Sequence, residues 1–157
     1  MIAVIVGLVV MLLGGILVAG VMNGWFDDST VILDPEYQMG DGEIKELSPN
    51  KYKELVSVKK SFVVFIDQGG GTTADRMRDF VTEYAEAHNL LIYKMMFSEM
   101  KETAIHEMVK YYPSVVIVSK GEVVGYLRAD NDEDAEMYND YEAFEGWMNQ
   151  WLAFDAD

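Results

Sequence analysis

Two runs, SFVVFI (residues 61–66) and LLIYKMMF (residues 90–97), are apolar on both of their alternating faces, and this constrains the chain more than any other feature. A strand with one wet face alternates apolar and polar residues, whereas a strand covered on both faces by helices reads as nearly continuous apolar sequence. Between the two runs, Met77, Phe80, Val81 and Tyr84 recur at the i, i+3, i+4, i+7 spacing of an amphipathic helix. Strand, helix and strand in that order predict a parallel crossover and a sheet with helices packed on it.

The flanking segments extend the pattern. LSPNKYKELVSVKK predicts a short helix, with Ser48 as N-cap, Pro49 at the first helical position and Tyr52, Leu55 and Val56 on one face. Thr72 or Thr73 is expected to cap the long helix, which Asn89 ends. SEMKETAIHEMVKYY (residues 98–112) predicts a further helix with Ile105, Met108 and Val109 turned inward. After Pro113, SVVIVSKGEVVGYLR reads as two strands around a Lys120-Gly121 turn. A last helix is expected over Tyr141–Leu152, with Phe144, Trp147, Met148 and Trp151 facing the sheet.

The N-terminus is of a different kind. The first 26 residues carry no charged side chain, and residues 2–22 match the about 20 residues that a helix needs to cross a bilayer. A cleaved signal peptide is the competing reading, but it has a basic start and a shorter apolar centre. The expectation is a retained anchor over residues 1–26 that engages membrane lipid through residues 2–22. With no Lys or Arg before Lys45, and Asp27 and Asp28 just after the span, the rest is expected outside the cytoplasm, in a single-pass arrangement. Residues 27–41, acidic and without periodicity, read as a tether, residues 42–152 as the folded domain and residues 153–157 as an acidic tail.

Composition removes several functions. A net charge of −15 opposes nucleic-acid binding, which needs cations to displace the counterions of phosphate. The chain contains no cysteine, so it has no disulfide, no thiolate nucleophile and no cysteine-ligated metal. His88 and His106 lack neighbouring ligands and read as solvated side chains. Asp130, Asp132 and Asp134 are spaced like the start of a calcium loop, but Ala135 stands where its glycine is required and Tyr141 where its bidentate acid is required. No metal or cofactor site is predicted, and no Gly-x-Ser-x-Gly elbow marks a hydrolase.

The loop Gly69-Gly70-Gly71-Thr72-Thr73 lies between a buried strand and a helix, a place where many folds put their chemistry. It lacks the Lys-Ser/Thr of a phosphate-binding loop, and Asp75 in the first helical turn opposes an anion. A structural turn, an anion site and a peptide-contact surface are the three readings, the first being the plainest.

Element order, SFVVFID followed by a loop and long helix, and above all YYPSVVIVSKGEVVGYL resemble the thioredoxin family over about Glu43 to Leu152. The resemblance implies a central mixed sheet flanked by helices, and a cis Tyr112-Pro113 bond facing the Gly70–Thr73 loop. It places the family's Cys-x-x-Cys pair at Gly70 and Thr73 or at Gly71 and Ala74, and the family's buried acid near Val63 and Val64. Neither register supplies sulfur, so disulfide exchange is excluded. What the resemblance leaves is a redox-inactive, membrane-tethered, non-enzymatic domain that binds a protein or peptide client in a groove. Gly70, Gly71, Thr72, Thr73, Tyr112, Pro113 and Ser114 would line it, with the backbone of Ser114 and the ring of Tyr112 as contacts. The alternative is a non-catalytic accessory subunit of a membrane-associated thiol oxidoreductase or export complex.

Overall fold

A computed structural model describes residues 30–38, 40 and 42–154. The expected anchor over residues 2–22 lies outside them. Among the described residues no helix is long and apolar enough to cross a membrane.

Five strands form one sheet in the order β1-β3-β2-β4-β5: β1 Glu43–Glu46, β2 Phe62–Asp67, β3 Leu91–Met96, β4 Ser114–Ser119 and β5 Glu122–Tyr126. β1 and β2 run parallel to β3, while β4 runs antiparallel to both β2 and β5. The helices are α1 Pro35–Gln38, α2 Pro49–Ser57, α3 Thr72–His88, α4 Phe97–Met100, α5 Ala135–Asn139 and α6 Tyr141–Trp151. A 3-10 turn occupies Ala104–Glu107.

Of the two doubly apolar runs only β2 is buried throughout, whereas Leu91, Lys94 and Met96 of β3 are half-buried. Every residue of β2 is buried, as are Ser114 to Val118 of β4. Each large apolar side chain fully withdrawn from water contributes about 1.5–3 kcal/mol, so these two strands hold much of the core. Tyr37 of α1 and Tyr52 of α2 meet the Phe62 ring at 6.2 and 5.9 Å. α3 and α6 pack together through Phe80, Tyr84 and Phe144, and the Tyr84 hydroxyl donates to Asn149 Oδ1 at 2.8 Å.

Local signals act where they were expected. Ser48 Oγ accepts the Lys51 N–H at 3.1 Å, and Asn89 ends α3 in the left-handed region at φ 53°. Lys120 and Gly121 turn the β4–β5 hairpin at φ 49° and 81°, the double positive φ that a tight two-residue hairpin turn requires.

Several expectations are corrected. Residues 31–38 are not a tether: Val31, Leu33 and Tyr37 are buried, Val31 forms a parallel bridge with Leu152, and Asp34 accepts the Ser61 N–H at 2.8 Å. Lys60 Nζ holds the same segment, at 3.1 Å from Asp34 and 2.8 Å from Glu36. The domain therefore starts ahead of residue 42. Its end also runs past residue 152, because Ala153 N–H donates to Val31 O and Phe154 stacks on His88 at 4.8 Å. His88, packed between that ring and Tyr84, is not simply solvated.

The helix expected over residues 98–112 is broken into α4 and the 3-10 turn. Thr103 is the reason: its hydroxyl donates to the Met100 carbonyl and accepts the Ile105 N–H, giving the backbone local alternatives to a continuous helix. Ile105 and Val109 still face inward, but Met108 is 48% exposed. Three short elements were not predicted, α1, β1 and α5.

Candidate functional site

The site lies where β2 and β3 end and β4 begins. Ile66 pairs with Ser114 in the antiparallel ladder, so Asp67 and Pro113 are the next positions along the register. The glycine loop and the proline loop thus leave the sheet at the same end.

Asp67 organises the loop. It is 2% exposed, and its Oδ1 accepts the Gly69 N–H at 2.8 Å. Arg78, one and a half turns into α3, grips the same carboxylate, with Nε to Oδ2 at 3.1 Å and Nη2 to Oδ1 at 2.9 Å. Arg78 Nη1 also reaches Asp75 at 3.0 Å. Burial pushes the Asp67 carboxyl up, but the Arg78 hydrogen bonds and the Gly69 N–H outweigh it, and the net shift is downward. The Asp67 bond in turn raises the Arg78 guanidinium.

Val63 and Val64, in the region of the family's buried acid, are apolar and fully buried, and the buried acid that the structure adds is Asp67, at the end of the strand. An ionised carboxylate saturated by a guanidinium is a brace, not a proton shuttle. Asp67 was missed because a charged residue closing an apolar strand reads as its solvated end. The signal that could have found it is an arginine one helical face away, at Arg78.

The start of α3 differs from expectation in its cap. Thr72 and Thr73 are exposed and already helical, and the N-cap is Gly71, with no side-chain hydrogen bond. Gly71 has φ 105° and ψ 157°, a conformation that is essentially restricted to glycine. A Cβ on Gly70 or Gly71 would meet no atom within 4 Å, so the loop surface is open.

On the other side, the Tyr112-Pro113 peptide is cis. The Tyr112 ring packs on Phe97 at 5.2 Å, and Lys101 Nζ lies 5.5 Å from the centre of the Phe97 ring. Among the described residues no intramolecular hydrogen bond uses the N–H or C=O of Tyr112. Ser114, by contrast, is fully buried, and its hydroxyl donates to Leu127 O at 2.7 Å. That hydroxyl is structural, and among the described residues Tyr112, like Tyr111 before it, has backbone groups with no intramolecular partner.

α5 braces both loops. Tyr138 Oη donates to Pro113 O at 2.6 Å, while Arg76 Nη1 of α3 donates to Tyr138 O at 3.2 Å and Asn139 Oδ1 at 2.6 Å. Burial, then the charges of Asp134 and Asp130, push the Tyr138 phenol up, so it stays protonated as a donor. Asp134 is itself buried and holds the Arg128 side chain at 3.1 Å, which makes it a structural acid within the acidic segment.

Comparison with solved structures places the fold. A mutant thioredoxin from Halobacterium salinarum superposes with a TM-score of 0.52 at 12% identity, covering 74% of this chain and 97% of that one. The short form of spinach chloroplast thioredoxin f gives 0.51 at 15% identity, covering 75% and 98%. An oxidised thioredoxin from Arabidopsis thaliana gives 0.51 at 12%, covering 69% and 96%. No family model and no curated protein matches the chain. The protein has a thioredoxin-like fold, a mixed sheet flanked by helices. It holds no cysteine anywhere, so that fold here carries no thiol-disulfide chemistry.

Proposed function

We propose that this chain is a redox-inactive, membrane-tethered thioredoxin-like domain that binds an extended segment of a client protein between the Gly70–Thr73 loop and Tyr112-Pro113. The observation that carries this reading is the free N–H and C=O of Tyr112 beside an open glycine loop. A donor and an acceptor on one residue at a sheet end pair with an incoming strand, and the Tyr112 and Phe97 rings offer apolar contact area. The tether rests on the uncharged run of residues 2–22, which is long enough to span a bilayer. The domain acts as an adaptor and not as an enzyme, since the family's nucleophile is absent and Asp67 is held by Arg78.

The test is capture from detergent-solubilised membranes by the full chain and by Gly70→Trp. Gly70 has room for a side chain and an unstrained backbone, so this change fills the loop surface without disturbing the fold. Extended or unfolded clients retained by the native chain and lost by Gly70→Trp support the reading. Capture of one stoichiometric oxidoreductase, indifferent to Gly70→Trp, would show an accessory subunit instead.

A further inference from the structure

A second surface lies along β5, away from the glycine loop. β5 is an outer strand that pairs only with β4, and among the described residues no other backbone group bonds to its outer side. Beside it runs the segment that breaks into α4 and the 3-10 turn. A shorter cover leaves Met108 48% and Tyr111 55% exposed, and on β5 itself Val124 is 40% exposed. Two depressions flank this strand. One, of about 340 Å³, lies between Tyr52, Val56, Ala104 and Val123. The other, of about 190 Å³, lies between Tyr111, Tyr126 and Leu127, and Met108 lines both. Together they make a trough next to an unpaired strand edge, apolar around Val56 and Val123 and mixed where Lys110, Arg128 and Asp130 join Tyr126.

The charges on its rim define the occupant. Among the described residues the carboxylates of Glu107, Glu122 and Asp130 have no hydrogen-bond or ion-pair partner, whereas Arg128 is engaged by Asp134 at 3.1 Å and Glu133 at 3.6 Å. The remaining cation, Lys110, donates to the His106 carbonyl at 2.6 Å. We infer that β5 docks an extended, basic segment of a partner protein that adds as a further strand, seats alternate apolar side chains in the trough and sets its lysines or arginines against these carboxylates. Methionine, flexible and polarisable, suits a surface that accepts varied apolar side chains. A bulge at Val124 breaks the flatness of this edge, and the rim acids oppose pairing with a second copy of so acidic a chain.

The experiment is fluorescence anisotropy of the full chain in detergent micelles with a short labelled peptide of alternating lysine and valine. Expected are saturable binding, a loss of about tenfold when serine replaces valine in the peptide, and a similar loss in the doubly substituted Met108→Ser, Val124→Ser chain. Both positions are exposed, and an unchanged melting temperature confirms that the variant folds. Gly70→Trp should bind as the native chain does, which separates this surface from the glycine-loop groove. Absence of binding, equal binding of the serine peptide or the double variant, or loss only in Gly70→Trp would overturn the inference. So would a dimer in sedimentation that Val124→Ser dissolves, because the occupant would then be a second copy.

Discussion

Arg78 holds Asp67 through two of its nitrogens, at 3.1 and 2.9 Å, and so fastens the second turn of α3 to the end of β2 across the glycine loop. With the Gly69 N–H on the same carboxylate, loop, strand and helix share one anchor. The shape of the candidate groove on its β2 side depends on this pair.

Replacing Arg78 with Ala leaves a buried carboxylate with one hydrogen bond in place of several. The expected cost is about 2–3 kcal/mol, less than for a wholly buried pair because the guanidinium side is 36% exposed and screened by water. Urea denaturation followed by tryptophan fluorescence measures it. Arg78→Lys should recover only part, since an ammonium cannot match the forked geometry.

The same pair sets a pH dependence. The folded-state pKa of Asp67 lies below its ordinary 3.8, so its contribution is full above that value and is lost as pH falls through the lower folded one. Native protein should therefore be more stable than Asp67→Asn near neutrality, with the gap closing only in acid below about pH 4. A gap that closes on the alkaline side would contradict the assignment.

Restoring cysteines distinguishes two registers by stability. Gly70→Cys with Thr73→Cys places both side chains at open, exposed positions, and the protein should fold and titrate as accessible thiols when reduced. Gly71→Cys with Ala74→Cys puts a side chain at φ 105° and another at a fully buried position. It should be less stable by about 1–3 kcal/mol. Melting curves under reducing conditions compare the two, and the native chain should reduce insulin no faster than buffer.

Two glycines with opposite surroundings make a paired test. Gly121→Ala, at φ 81° with its new Cβ 2.6 Å from Val56 O, forces the hairpin turn off the α2 backbone. It should cost about 2 kcal/mol or more. Gly70→Ala should be neutral or stabilising by up to about 1 kcal/mol, because it only restricts the unfolded chain.

The orientation expected from the sequence and the proposed tether predict that protease added to intact cells or protoplasts removes the domain, and that carbonate washing leaves the protein in the membrane fraction. Full protection of the domain would reverse the orientation. Release by carbonate would remove the anchor.

What could be read from sequence alone is what depends on period and local chemistry. β2, β3, the hairpin and α3 were legible because apolar repeats and turn residues act within a few neighbours, as Ser48, Asn89 and Lys120-Gly121 show. The lack of thiol chemistry is a matter of composition and needs no fold. The cis bond at Tyr112-Pro113 was legible only through family resemblance, and its neighbours Phe97 and Tyr138 were not. Tertiary structure alone decided the rest. β1 has one apolar residue, Ile44, and is a strand because the Leu91–Lys94 edge supplies its hydrogen bonds. Val31 and Leu33 leave an acidic stretch for the core because Leu152 bridges Val31 and Ser61 holds the neighbouring Asp34. Asp67 finds Arg78 only once strand and helix are packed side by side. Such contacts join residues far apart in the chain, and no local period records them; the free energy that selects them exists only when both partners have been brought together.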